Sequence, residues 1–253
     1  MGKIIAVVNQ KGGVGKTTSC VNIAAALRQK GKKVLLCDFD PQANATSGFG
    51  IEKGSKPTVY DVIVGHAQVT AAICHTPYGD LLPAASNLAG AGVELISMPN
   101  REFQLKKFLQ PLRCLYDFIF IDCPPSLELL TLNGICAADS ILIPVQCEYY
   151  ALEGLADLMA TMRAIKQRLN PTISVFGVLL TMFDGRTNFS NQVAQEVRRH
   201  FPGKVYAAVI PRNVRIAEAP SHGKPVLSYD RSSRGAQAYE AVADEILRKE
   251  GMV

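Results

Sequence analysis

The segment Gln10-Lys11-Gly12-Gly13-Val14-Gly15-Lys16-Thr17-Thr18 constrains this chain more than any other stretch of it. An apolar run over 4–8 precedes it and reads as a buried strand. A helical pattern follows over 17–30, with Val21, Ala24, Ala25 and Leu27 at helical spacing and Gly31 as its stop. Strand, glycine-rich loop and helix in that order form a phosphate-binding loop. Glycines let successive N–H groups converge on phosphate oxygens, and the helix N-terminus adds positive potential. Gly12, Gly13, Val14, Gly15 and Thr18 are thus expected to line the phosphates of a nucleoside triphosphate. Lys16 is expected to reach the β- and γ-phosphates, and the Thr17 hydroxyl to ligate Mg²⁺.

The rest of the chain alternates strands with helices. Strands are expected at 33–37, 81–84, 117–121, 140–145, 173–180 and 205–210. Helices are expected within 57–76, and at 100–114, 127–137, 151–169, 189–201, 214–219 and 233–249. This order predicts an α/β fold: a doubly wound, mostly parallel sheet with helices on both faces. No linker, repeat or low-complexity run interrupts it, so one domain over 1–253 is the expectation.

Three carboxylates stand at predicted strand ends. Asp122 closes the apolar run Phe118-Ile119-Phe120-Ile121, as the aspartate that holds Mg²⁺ does in phosphate-loop proteins. Asp38 and Asp40 end a strand that would lie beside the loop. A carboxylate there can orient an attacking water, and capping of the loop is an equal alternative. The guanine-reading Asn-Lys-x-Asp is absent; Thr181-Met182-Phe183-Asp184 follows the late strand instead.

Hydrophobic content of 48% and charged content of 19% are those of an ordinary globular chain. No apolar run approaches the ~18 residues of a membrane span, and the N-terminus enters a strand at once, so neither a span nor a signal peptide is expected. The seven cysteines are scattered without a C-x-x-C pair, which suits reduced thiols in the cytoplasm. The net charge is +5, and the basic excess lies in the C-terminal third: from Arg163 onward there are 14 Lys/Arg against 8 Asp/Glu. Arg186, Lys204, Arg212, Arg215, Lys224, Arg231 and Arg234 are candidates for contact with a polyanion's phosphates.

The loop departs from G-x-x-x-x-G-K-[ST] by placing Gln10 at the first position and Lys11 after it. In this it resembles the deviant K-G-G-x-x-K-[ST] loop of the ParA/MinD family. Gly-Val-Leu-Leu-Thr (177–181), Ile-Pro-Arg-Asn-Val-Arg (210–215), Glu-Ala-Pro-Ser-His-Gly-Lys-Pro (218–225) and Gln-Cys-Glu-Tyr-Tyr-Ala-Leu-Glu-Gly (146–154) extend the likeness to its chromosomal ParA, or Soj, subgroup. The resemblance implies that Lys11 reaches across a dimer interface to the partner's phosphates, where a second cation stabilises phosphoryl transfer. It makes Asp38-Phe39-Asp40-Pro41-Gln42 a switch, with Asp40 positioning water and Asp38 nearer Mg²⁺. It makes Pro211 and Asn213 the adenine contacts, an Asn213 helix cap being the alternative. It singles out Arg186 and Arg215 for DNA. The implied function is a slow partitioning ATPase: ATP drives a homodimer, the dimer binds nonspecific double-stranded DNA on the nucleoid, and a ParB-like partner stimulates hydrolysis. Two other readings are a MinD-like regulator, which needs an amphipathic C-terminal anchor, and a metabolic or redox enzyme, for which Cys123 is the suggestive thiol.

Overall fold

Residues of β-branched and aromatic type form strands where the apolar runs lie, and the strands assemble into one seven-stranded sheet. The computed structural model describes residues 1–55, 57–148 and 151–252, without the side chain of Ala151. Tyr149 and Tyr150, within the 146–154 segment, lie outside the described residues. The chain runs β1 (Lys3–Val7), α1 (Lys16–Gln29), β2 (Val34–Asp38), α2 (Asn44–Gly48), α3 (Val59–Ile63), α4 (Val69–Ala72), β3 (Cys74–Thr76) and β4 (Gly79–Leu82). It continues through α5 (Leu88–Ile96), α6 (Gln104–Leu109), β5 (Phe118–Asp122), α7 (Leu129–Ala137), β6 (Ser140–Gln146) and α8 (Ala151–Arg168). β7 (Ser174–Thr181), α9 (Asn188–His200), α10 (Val214–Glu218), α11 (Val226–Tyr229) and α12 (Arg234–Lys249) complete it.

The strand order is β3-β4-β2-β5-β1-β6-β7, parallel except for the β3–β4 hairpin at one edge. Alternate residues of β1 serve opposite faces, as the two-residue period requires. Ile4 and Ala6 pack into the core that includes Leu105, Ile135, Leu158 and Val197. Ile5 and Val7 pack with Ile23, Leu27, Tyr239 and Val242 on the other side. Helices therefore cover both faces. From β1 the chain crosses toward β2, and from β6 toward β7 on the other side, so the loops after β1 and β6 diverge at a topological switch point.

Two expectations are corrected. The segment 205–210 is not a ladder strand. Its one bridge among the described residues is Val178 with Val205, followed by Phe183 with Pro211 just beyond it; the Tyr206 and Ile210 amides donate to β7 carbonyls, but the Ala207 and Ala208 amides between them donate to the Glu245 carboxylate, which breaks the ladder. The helical reading through residue 76 runs too far: Pro77-Tyr78 turn the chain, and Cys74–Thr76 pair with β4. The region 100–114 is helical but tightens into 3₁₀ turns at Arg101–Phe103 and Gln110–Cys114, the second around Pro111. α5, with Gly90 and Gly92 in its interior, gives too weak a propensity signal to read.

Candidate functional site

Three strand ends make the floor of the site. β1, β2 and β5 finish level, with Val7 and Asp38 both in register with Asp122. The loop after β1 therefore closes over two buried carboxylates. Gly15 takes φ of 89° as it enters α1, a left-handed geometry that excludes most side chains. The loop is pinned from two sides. The Asn9 side-chain amide donates to the Pro144 carbonyl at 2.7 Å and its carbonyl oxygen accepts from the Lys11 amide at 3.0 Å. The Thr181 hydroxyl donates to the Val14 carbonyl at 2.8 Å.

Lys16 is buried, and its Nζ donates back to the Lys11 carbonyl at 2.9 Å. Burial lowers its pKa, while the nearby Asp122 and Asp40 carboxylates oppose that shift. Asp122 is wholly buried, and burial and then the charge of Asp38 raise its pKa, with the neighbouring Thr17 and Cys20 side chains acting the other way. The Cys20 thiol donates to Asp122 Oδ1 at 3.5 Å, while Oδ2 has no hydrogen-bond partner among the described residues. A buried carboxylate oxygen without a donor is costly, and a hydrated cation satisfies it. No group of three or more His, Cys, Asp or Glu residues is arranged to hold a metal among the described residues. The donors present suit Mg²⁺ of the usual kind, in which one or two protein oxygens join water and phosphate.

Asp38 differs from Asp122. Its Oδ2 accepts from both the amide and the hydroxyl of Thr46, each at 2.7 Å, and its Oδ1 accepts from the Asp40 amide at 3.3 Å. Both oxygens are thus committed to the loop at 40–48. That loop turns through Ala43, a non-glycine residue at φ of 51°, and Asp40 Oδ1 accepts from the Gln42 amide at 2.9 Å. Asp40 is nearly buried yet lines the phosphate-side cavity.

That cavity holds about 460 Å³ and is lined by Gly12, Gly13, Gly15, Lys16, Thr17, Thr18, Asp40 and Lys224 among others. A second cavity of about 510 Å³ shares Gly15, Thr18, Met182 and Pro220 with it and is lined by Pro211, Arg212, Asn213 and Tyr239. Together they lie end to end, the first carrying the charged Lys16, Asp40 and Lys224 and the second the apolar Ile210, Pro211 and Ile216. Asn213 Oδ1 caps α10 by accepting from the Arg215 and Ile216 amides, so its amide nitrogen is the group left to meet a base. A separate cavity of about 320 Å³, lined by Arg28, Lys33, His75 and Tyr116, sits at the opposite ends of the strands.

Lys11 lines neither of the two joined cavities. It borders a recess of about 110 Å³ with Asn9, Gly12, Gln146 and Glu148, at the switch point. Its side chain runs along α8, where a Cβ on Gly154 would come 3.2 Å from Lys11 Cε. Arg212 donates to Glu148 at 3.1 Å from the other side of that recess. Arg186 and Arg215 stand outside the cavities, each in an ion pair.

A family profile described as an AAA domain matches residues 2–175. The sporulation initiation inhibitor protein Soj of Bacillus subtilis (strain 168) is 55% identical over 249 residues, which are 97% of this chain and 98% of Soj. The chromosome-partitioning ATPase Soj of Treponema pallidum (strain Nichols) is 49% identical over 253 residues, 99% of each chain. The chain belongs to the Soj/ParA family of ATPases. Among solved structures, the cobyrinic acid a,c-diamide synthase of Mycobacterium smegmatis, with bound ADP and magnesium, is similar with a TM-score of 0.86 and 38% identity over 99% of this chain and 96% of that one.

Sequence reasoning brought the loop, Asp38, Asp40, Asp122, Pro211 and Asn213 to one end of the sheet. It missed Asn9, Thr46, Thr181 and Cys20, which hold those residues in place. Only Asn9 carried a signal, as a polar residue between an apolar strand and the loop. Two features cited for the alternatives are taken up by the fold. Cys123 is fully buried with its pKa raised by burial, so it presents no thiol to a partner. α12 spends its apolar face, Tyr239, Val242, Ala243 and Ile246, on the core, and no helix of the described residues is long and apolar enough to cross a membrane.

Proposed function

We propose that this chain is a DNA-partitioning ATPase in which bound ATP is sensed by two subunits at once. The observation that carries this reading is the division between the two loop lysines. Lys16 lines the phosphate-side cavity, whereas Lys11 turns away from it to the recess beside Gln146 and Glu148. A cation held outside its own subunit's phosphate cavity is suited to another subunit's nucleotide.

In this reading ATP lies along the joined cavities, with adenine against Pro211 and Asn213 and phosphates over Gly12–Thr18. Thr17 and Asp122 would hold Mg²⁺, which when bound would neutralise charge on the β- and γ-phosphates. Asp38 keeps the 40–48 loop in place through Thr46 and the Asp40 amide, and the spare acceptor capacity of its Oδ1 is available to the ion or its water shell. Asp40 accepts a hydrogen bond from the attacking water. The water oxygen bonds to the γ-phosphorus as the bond to the ADP oxygen breaks, the water proton passes to an oxygen of the departing phosphate, and Lys16 and the partner's Lys11 stabilise the developing charge. Hydrolysis then returns the dimer to monomers.

The ATP-bound dimer binds nonspecific double-stranded DNA through paired basic surfaces that include Arg186 and Arg215, and so sits on the nucleoid. A ParB-like partner stimulates the slow hydrolysis. The test is retardation of a random-sequence duplex with no nucleotide, with ADP and with ATP, in parallel with light scattering. Retardation and dimer are expected with ATP only, and both are expected to disappear in Lys11→Ala while nucleotide binding persists. Unchanged dimerisation in Lys11→Ala would contradict the assignment.

A further inference from the structure

The two arginines read as DNA contacts are already held by carboxylates of their own chain. Arg186 grips Asp184 as a two-pronged fork, Nε to Oδ1 at 2.9 Å and Nη2 to Oδ2 at 2.7 Å, although its side chain is 90% exposed. Arg215 is held twice, Nη1 to Glu218 Oε2 at 2.8 Å and Nε to Asp230 Oδ2 at 3.3 Å. Tyr229 donates its hydroxyl to the same Glu218 oxygen at 3.2 Å, fixing the acid. The two arginine loops are neighbours, because Phe183 bridges to Pro211 and its amide donates to the Ile210 carbonyl at 2.9 Å. The fork holds the Asp184 carboxyl well below the usual range, at about 2, so it stays ionised.

We propose that Asp184 and the Glu218–Asp230 pair are built-in counter-ions that compete with DNA phosphate for Arg186 and Arg215, so that one subunit alone holds DNA weakly. This rests on the DNA-binding reading above. A guanidinium fork fits carboxylate and phosphate alike. A phosphate that takes the Nε–Nη2 edge of Arg186 must displace Asp184, and one that takes the remaining Nη1–Nη2 edge meets a cation whose charge Asp184 already offsets; either way the carboxylate stays charged beside the duplex. Each arginine exchanges one anion for another, and the gain per contact is small. Weak single-subunit contacts become useful only when two surfaces act on one duplex, where the second contact is intramolecular. The counter-ions thereby make DNA binding depend more steeply on the dimer.

Salt dependence carries the signature. An unlatched arginine on B-DNA contributes about 0.9 to the slope of log K against log salt. A latched one contributes nearly nothing, because the arginine and its carboxylate together bring no net charge to the duplex and so displace few of its counter-ions.

The experiment measures duplex affinity of the full chain with ATP and Mg²⁺ across a salt series, for wild type, Asp184→Asn, Arg186→Ala and the double variant. Asparagine keeps an acceptor for the Arg186 amide, which donates to Asp184 Oδ1 at 3.1 Å. Asp184→Asn is expected to bind roughly two- to fivefold tighter per subunit, in line with the range for exposed ion pairs. Its salt slope is expected to steepen by about 0.9 per subunit. Both gains are expected to vanish in the Arg186→Ala background. A gain that persists there reflects net charge alone and overturns the latch. A wild type that binds DNA with steep salt dependence, matched by Asp184→Asn, overturns the latch and leaves the DNA reading standing. No binding by ATP-loaded wild type removes both.

Discussion

Thr46→Val tests the anchor on which the 40–48 loop hangs. Valine keeps the shape and branching of threonine but deletes a buried hydroxyl. That hydroxyl donates to Asp38 Oδ2 at 2.7 Å and accepts from the Ala84 amide at 3.0 Å. A hydrogen bond to a charged group is worth about 1.5–3 kcal/mol, and a buried amide left unpaired costs about 1–3 kcal/mol. The expected loss near pH 8 is therefore about 4 kcal/mol, moderated because the Thr46 amide still donates to Asp38. The effect has a pH signature. Burial raises the Asp38 carboxyl from its ordinary 3.8 to about 6, against the opposing bonds from Thr46. A carboxyl whose folded pKa is raised binds more protons in the folded state, so this group's contribution to stability falls as pH rises between those two values. Without the hydroxyl the folded pKa rises further, and the fall continues to higher pH. The deficit is thus smallest near pH 5, at about 2 kcal/mol from the Ala84 amide, and reaches full size near pH 8. Urea unfolding of the nucleotide-free chain, followed by circular dichroism at both pH values, measures it. A loss under about 1 kcal/mol at pH 8, or equal losses at both, would show that Thr46 does not hold Asp38 as described.

Asp40→Ala is expected to keep ATP binding and persist as a dimer while phosphate release slows about 100-fold or more; an undiminished rate refutes the water-orienting role. Gly154→Ala places a methyl 3.2 Å from Lys11 Cε in a helix, so the chain is expected to gain up to about 1 kcal/mol of helix stability while Lys11 is pushed off α8. Dimer formation at lower ATP, read by light scattering, supports that seat, and marked destabilisation in urea would contradict it.

The phosphate loop, the strand ahead of it and the carboxylates at strand ends were legible because each is written in one short stretch of sequence. Asp38 and Asp40 could be placed at a strand end beside the loop, but the pairing of β2 with β5 that sets Asp38 opposite Asp122 is a matter of strand order, which no single stretch carries. What escaped was the contact between distant segments. Cys20 meets Asp122 across 102 positions, and Thr181 meets Val14 across 167. The segment 205–210 has the composition of a strand and bonds to β7 at Tyr206 and Ile210, yet the Ala207 and Ala208 amides between them turn to Glu245, and no local pattern announces that. Thr46 is only eight positions from Asp38, but the turn that joins them passes through Ala43 at positive φ, a conformation alanine does not advertise.

The site is organised by which oxygens and cations are already engaged. Asp38 spends its acceptors on its own loop, whereas Asp122 keeps one oxygen unmatched inside the core. Lys16 satisfies the loop's own carbonyl, a bond that a phosphate can replace, while Lys11 lies along α8 beside the diverging strands. The outward arginines repeat the arrangement with carboxylates in place of carbonyls. Lys16, Arg186 and Arg215 are therefore each matched, within the chain, to a partner that a phosphate could replace in the proposed loaded dimer. Asp122 Oδ2 is the exception, and burial without a donor makes it the group with most to gain from Mg²⁺. In the proposed cycle, exchange of internal partners for external ones at Lys16 and Arg186, with Mg²⁺ filling the unmatched oxygen of Asp122, would couple nucleotide to dimer and dimer to DNA.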